Sequence, residues 1–286
     1  MAHSEPLGVH LITGGFPPGS LAGHDMDYVR LTLLGLLAEH DNVRTSVAND
    51  YHDVATWLPV SQLLVTYAAG PYPANEQNTV VREWVEAGGR WLALHGTTGG
   101  RAERMTEEMA DGTSRPRRAM MRLDHHDTLG GFFLNHPPLR RFTVDVTTGH
   151  PITDGLPSSF ATSDELYLVE LTARDDTTVL LTTDLPKDPS PDRFGFWYGE
   201  DSSLFEDGRT RALGYVRELG AGAVTYLALG HTHTVANNTQ PFVDESVTPD
   251  GTTPSTFRGS WQTDEFRQLL RNSIAWGLDR TPAAVG

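Results

Sequence analysis

Twelve histidines and no cysteine make imidazole the main chemical resource of this 286-residue chain. Several stand where strands would end and loops begin: His24, His95, His125 with His126, His136, His150, and His231 with His233. Glu165, in SDELY, adds a carboxylate. Imidazole exchanges protons near neutral pH and binds metals, and a carboxylate beside it can serve as general acid or base. His231 and His233 are two residues apart, so in an extended segment both point to one side and can reach a shared metal or substrate. Duller readings compete. Glu165 could be a capping or ion-paired carboxylate, His24 could only hold a helix entry, and the His-Pro steps at 136 and 150 could only start turns, because proline suits the first helical position. His3, His10, His40 and His52 carry no functional weight, and His125 with His126 reads as a solvated loop pair.

The stretch WLALHGTTGG (91–100) places His95 at the bend between a strand and a glycine turn. In many α/β enzymes that corner lifts a serine or cysteine nucleophile into the site. Here neither residue occupies it, and without cysteine the chain has no disulfide, thiolate metal site or thiol nucleophile. GxSxG, GxxxxGK[ST], HExxH and a strand-following GxGxxG are all missing, which removes the usual support for lipase-type, nucleotide-hydrolysing, zincin and dinucleotide-binding readings.

With 38% apolar and 21% charged residues, the composition is that of a globular chain, one large domain over 1–280 with a frayed tail at 281–286. No apolar run approaches the roughly 18 residues a membrane helix needs, and the N-terminus has no signal-peptide pattern, so a cytoplasmic location is the default expectation. The net charge of −15 argues against a nucleic-acid backbone as partner and favours a neutral or cationic small molecule. The one basic run, SRPRRAMMR (114–122), reads as a solvated loop rather than an anion site, with a phosphorylated substrate left open.

Strands are expected at 9–14, 44–49, 63–69 and 91–96, short apolar runs of the kind covered on both faces in a parallel sheet. HDMDYVRLTLLGLLAEHD, between the first two, spaces Val29, Leu33, Leu36, Leu37 and His40 as a helix, with acids in its first turn. A second helix is expected at 75–87, stopped by Gly88 and Gly89. Alternation of this kind predicts a doubly wound sheet whose ligands sit beyond the carboxyl ends of the strands. Residues 99–124 read as a long irregular excursion suited to act as a lid, and 184–211 as a surface insertion that docks its aromatic rings. Further strands are expected at 142–146, 165–171, 178–183 and 223–230, and a closing helix at 264–278.

Five motifs in order, LHGTTG (94–99), GGFFLNHP (130–137), GHPITDGL (149–156), DELY (164–167) and LALGHT (227–232), closed by SIAWGL (273–278), resemble the ThuA-like family, named for trehalose utilisation. The resemblance spans residues 8–280. It implies a flavodoxin-like fold akin to class I glutamine amidotransferases, a doubly wound, mostly parallel sheet with flanking helices. It places His95 where those amidotransferases keep their cysteine, so a glutaminase reaction through a thioester is not available. Carried over residue by residue, His24, His95, His136, His150, Glu165 and His231 would line the pocket. The chain departs from the family pattern in ALGYVRELGAG (212–222), in a longer stretch after His233, and in a longer loop at 101–122.

Two classes of function follow. In the first, the chain is an enzyme of lyase, hydrolase or isomerase type acting on a sugar or keto-sugar. His95, Glu165 and His231 would transfer protons, His24, His136, His150 and His233 would bind substrate, and His95, His136 and His231 would hold a divalent metal such as zinc. In the second, it is a non-catalytic, amidotransferase-like module holding a sugar or a partner protein in an aromatic groove from Phe194, Trp197 and Tyr198. The first predicts a small-molecule sugar as partner, neither predicts nucleic acid or membrane, and both leave a homo-oligomer open.

Overall fold

A computed structural model of the chain describes residues 6–14 and 23–279. In chain order the elements are β1 (Leu7–Gly14), α1 (Met26–Leu37), β2 (Val43–Ala48), α2 (Val54–Trp57), β3 (Leu63–Ala68), α3 (Asn75–Glu86), β4 (Arg90–Leu94), β5 (Arg101–Glu108), β6 (Ser114–Met121) and α4 (His125–Leu129). They continue with β7 (Gly131–Asn135), β8 (Arg140–Val146), β9 (Ser159–Asp164), β10 (Leu168–Leu171), β11 (Thr177–Asp184), β12 (Thr210–Leu219), β13 (Gly222–Leu227), β14 (His233–Thr234), β15 (Thr256–Phe257) and α5 (Asp264–Leu278). The expected frayed tail lies outside the described residues.

Nine strands form one sheet in the order β2-β1-β3-β4-β13-β12-β11-β8-β9. The first five run parallel, and β12, β11, β8 and β9 extend the sheet antiparallel. The parallel half is where the apolar runs lie. Every residue of β3, LLVTYA, is buried, as it must be with helices on both faces. Helix α1 turns Val29, Leu33, Leu36 and Leu37 into the core, and its N-cap Asp25 accepts from the Tyr28 amide. Helix α5 starts at its expected residue because Thr263 caps it, accepting from the Phe266 amide. Among the described residues no helix is long and apolar enough to cross a membrane.

Some expectations need correction. Residues 99–124 are not irregular: β5 and β6 make a regular antiparallel hairpin, from Arg101 opposite Met121 to Glu108 opposite Ser114. Its alternation is hidden in the sequence because both faces carry charge, so period two brings no apolar contrast. Strands β7, β9 and β12 were also not expected. In β12 the run RALGYVREL has two arginines that fold inward, Arg211 being wholly buried on the Asp201 carboxylate. The strand expected at 165–171 shrinks to β10, Leu168–Leu171, and β9 ends at Asp164, which frees Glu165, Leu166 and Tyr167 from the ladder. Likewise β13 stops at Leu227, leaving 228–230 as a loop. Both breaks serve the site below.

Candidate functional site

Three parallel strands, β1, β4 and β13, deliver histidines to the carboxyl edge of the sheet. His95 follows β4 directly and takes a positive φ of 42°, unusual for a residue with a Cβ. The strain lets its ring turn back over the strand end, where Tyr167 stacks on it with centroids 4.1 Å apart. His24 stands just ahead of α1, its ring edge-on to His95 at 5.1 Å and 5.0 Å from His231. His231 follows Gly230, whose φ of 126° only glycine adopts freely. That turn is held from several sides. The Gly230 and His231 amides donate to the two oxygens of Asp164 at 2.9 Å each, and the Gly230 carbonyl accepts from Tyr67 and Trp261. Asp164 also accepts from the Glu165 amide at 2.8 Å, so a single carboxylate fixes both the loop of His231 and the neighbouring acid.

Glu165 is the hub. Its Oε2 lies 3.1 Å from His95 Nε2 and 3.2 Å from His231 Nδ1, its Oε1 lies 3.1 Å from His136 Nε2, and Gln240 Nε2 also donates to Oε1. The far side of each ring has a fixed partner. His95 Nδ1 donates to the Ala228 carbonyl at 2.7 Å, and His136 Nδ1 donates to the Pro137 carbonyl at 2.8 Å. His233 Nε2 donates to the Pro254 carbonyl at 3.0 Å, so its Nδ1 is free to accept from His231 Nε2 at 2.9 Å. A neutral imidazole has one N–H. The carbonyls therefore place bare lone pairs on His95 Nε2, His136 Nε2 and His231 Nδ1, all turned toward an acceptor-only carboxylate. His24 Nδ1 and His231 Nδ1 are buried without a hydrogen-bond partner. One ligand atom from each of His24, His95, Glu165 and His231 falls within 4.8 Å of the others.

Burial lowers the pKa of His24 well below its ordinary value, with the neighbouring imidazoles His231 and His95 adding to the effect. Burial also lowers His136, against the pull of Glu165. For Glu165 itself burial acts to raise the pKa, but the nearby His136, His231 and His95 rings outweigh it and hold the group well below the usual carboxylate range. Glu165 is thus held as a carboxylate among the imidazoles. Such a set can accept protons, and its unshared lone pairs suit a divalent cation.

The structure thus brings together His24, His95, His136, Glu165, His231 and His233. His150 is not with them. It lies at the opposite end of the sheet, beside Arg90 and Gly222 at the starts of β4 and β13, where its Nδ1 accepts from the Ile152 amide and its ring packs edge-on to Trp276 at 5.2 Å. Its His-Pro step is a turn cap. The expected metal set of His95, His136 and His231 also changes: His136 stands on the outer oxygen of Glu165 with 13% of its side chain exposed, and His24 takes its place in the inner group.

His125 and His126 are not a solvated pair. Both are buried on α4, where His125 Nε2 donates to the Thr97 carbonyl, and His126 Nε2 to the carbonyls of Thr98 and Gly99. They clamp the turn that follows His95. Sequence reasoning passed over Asp164, although it adjoins Glu165 in the motif, and Gln240, which lies in the longer stretch after His233 and carries no local signal.

A family model described as ThuA, trehalose utilisation, matches residues 22–243. Among curated proteins none matches the chain. A putative ThuA-like protein from Bacteroides uniformis is similar at 16% identity and a TM-score of 0.62, over 98% of this chain and 94% of that one. A second, from Parabacteroides merdae, is similar at 17% identity and a TM-score of 0.57, over 99% of this chain and 93% of that one. These likenesses carry the fold: a mixed α/β architecture on a large, mostly parallel sheet. With the family model covering well over half its length, the chain belongs to the ThuA, or trehalose utilisation, family.

Proposed function

We propose that the protein is an enzyme of carbohydrate metabolism that acts on a sugar or keto-sugar by acid–base chemistry at the Glu165 cluster, assisted by a divalent metal such as zinc. The family ties the chain to trehalose utilisation and so to carbohydrate metabolism. One observation carries the finer reading: backbone carbonyls fix the tautomers of His95 and His136, and through His233 that of His231, so that their lone pairs face one buried carboxylate. Left to themselves these contacts repel; protons or a cation between the atoms turns them attractive.

His24, His95, Glu165 and His231 would hold the ion. When bound it would supply Lewis acidity to polarise a substrate carbonyl or hydroxyl. His136 is the member with an exposed edge, and its free Nε2 is placed to take a proton from an incoming substrate while Glu165 Oε1 steadies the imidazolium that results. His233 holds the tautomer of His231 from behind. Replacing Glu165 and His95 tests the reading: His95→Ala and Glu165→Ala should each keep the fold and abolish turnover of a keto-sugar by the purified protein. Unchanged turnover in both removes the enzymatic assignment.

A further inference from the structure

The basic run of β6 has a place in the fold that the chemistry above does not use. Arg115 and Arg117 share Glu107 and Asp192, with all four contacts between 2.6 and 2.8 Å, and Arg122 pairs with Glu170. Arg118 is different. It stands directly across the hairpin from Arg104, and among the described residues neither has a carboxylate partner; Arg118 only lies over the Phe196 ring at 5.1 Å. Two like charges facing each other on one side of an antiparallel pair destabilise it. An anion between them reverses the sign of that interaction.

Both arginines line a cavity of about 390 Å³ between the hairpin and residues 188–198. Its wall holds four arginines against two aspartates, a local excess of positive charge in a chain whose net charge is −15. Phe194, Trp197 and Tyr198 give it flat apolar faces of the kind a sugar ring covers, and Asn135 also lines it. The cavity abuts the site. Phe194 packs edge-on to His136 at 5.7 Å, and Asn135, next to His136, is tied to the 188–198 segment through Asp188 and the Phe196 amide.

We propose that this cavity binds the anionic group of a sugar phosphate or sugar acid, with Arg104 and Arg118 as its paired cations and the sugar ring lying over the aromatic wall toward His136. Arginine suits either group because its planar fork meets a phosphate or carboxylate with two parallel N–H donors. The inference rests on the carbohydrate reading and adds that the substrate carries negative charge. Isothermal titration of the purified full chain with glucose 6-phosphate, glucuronate and glucose tests it. The better anionic sugar should bind at least about tenfold tighter than glucose, which also tells phosphate from carboxylate. The double variant Arg104→Gln/Arg118→Gln should lose that advantage, and Arg104→Lys/Arg118→Lys should recover part of it. Glu165→Gln should keep it while losing turnover, so that failure of this site and failure of the acid–base reading give different results. Anionic and neutral sugars binding alike, or an unchanged preference in the glutamine double variant, overturns the proposal.

Discussion

His95 Nε2 and Glu165 Oε2 lie 3.1 Å apart while His95 Nδ1 is committed to the Ala228 carbonyl at 2.7 Å, so the nitrogen that meets the acid has no proton of its own in the neutral ring. The pair is wholly buried on the histidine side. The chemistry of the site depends on what occupies that interval. Glu165→Gln replaces the charge with an amide of the same shape, and turnover of a keto-sugar should fall by about 10² to 10⁴, the range of general acid–base catalysis. Steady-state kinetics checks this, and circular dichroism should show an intact fold.

His126 should position His95 rather than touch substrate. His126→Ala leaves the buried Thr98 and Gly99 carbonyls without their donor, at a cost of about 1–3 kcal/mol in urea unfolding. His126→Gln, which keeps a side-chain N–H, should recover part of the loss. If the turn behind His95 depends on this clamp, metal affinity should follow the same order, wild type above glutamine above alanine.

Stability should decline with acid earlier than carboxylates alone would dictate. Burial lowers His24, His125, His126 and His136 below the ordinary value of 6.5. As pH falls below 6.5 the unfolded chain takes up protons that these buried rings refuse, and the folded state loses ground until their folded pKa values are reached. Their contribution is therefore complete above pH 6.5 and lost below it. Urea midpoints at pH 7.5 and 5.5 should differ, with the lower midpoint at 5.5, and His125→Gln with His126→Gln should narrow the gap. Equal midpoints in the wild type would contradict the burial of neutral imidazoles.

The ion pair of Arg211 with Asp201 should be structural. Arg211 is fully buried, donates to the Leu185 carbonyl, and meets both Asp201 oxygens at 2.8 Å. Asp201→Ala leaves a buried guanidinium half satisfied and should cost about 3 kcal/mol in chemical unfolding without changing metal content.

Much of the parallel half was legible because its physics is local. The apolar runs of β1, β3 and β4, the glycine stop after α3 and the Thr263 cap each act within a few residues. His95 was legible as a bend residue for the same reason. The antiparallel half was less so: β12 buries Arg211 on the Asp201 carboxylate and Arg217 on the distant Thr128 carbonyl, which no periodicity announces. The same limit explains His125 and His126. A histidine pair beside aspartates reads as wet, and only the carbonyls of 97–99, which accept from the two rings, make it a buried clamp. His150 failed in the opposite way, since a motif position alone does not say which end of a sheet it occupies.

The most direct measurement is the metal content of full-length protein purified without chelator or an affinity histidine tag. About one divalent ion per chain should be retained through gel filtration and lost in His24→Ala, His95→Ala and Glu165→Gln, while His150→Ala keeps it. Substoichiometric metal in the wild type, or the same content in the Glu165→Gln protein, would contradict the claim that these lone pairs converge on a cation.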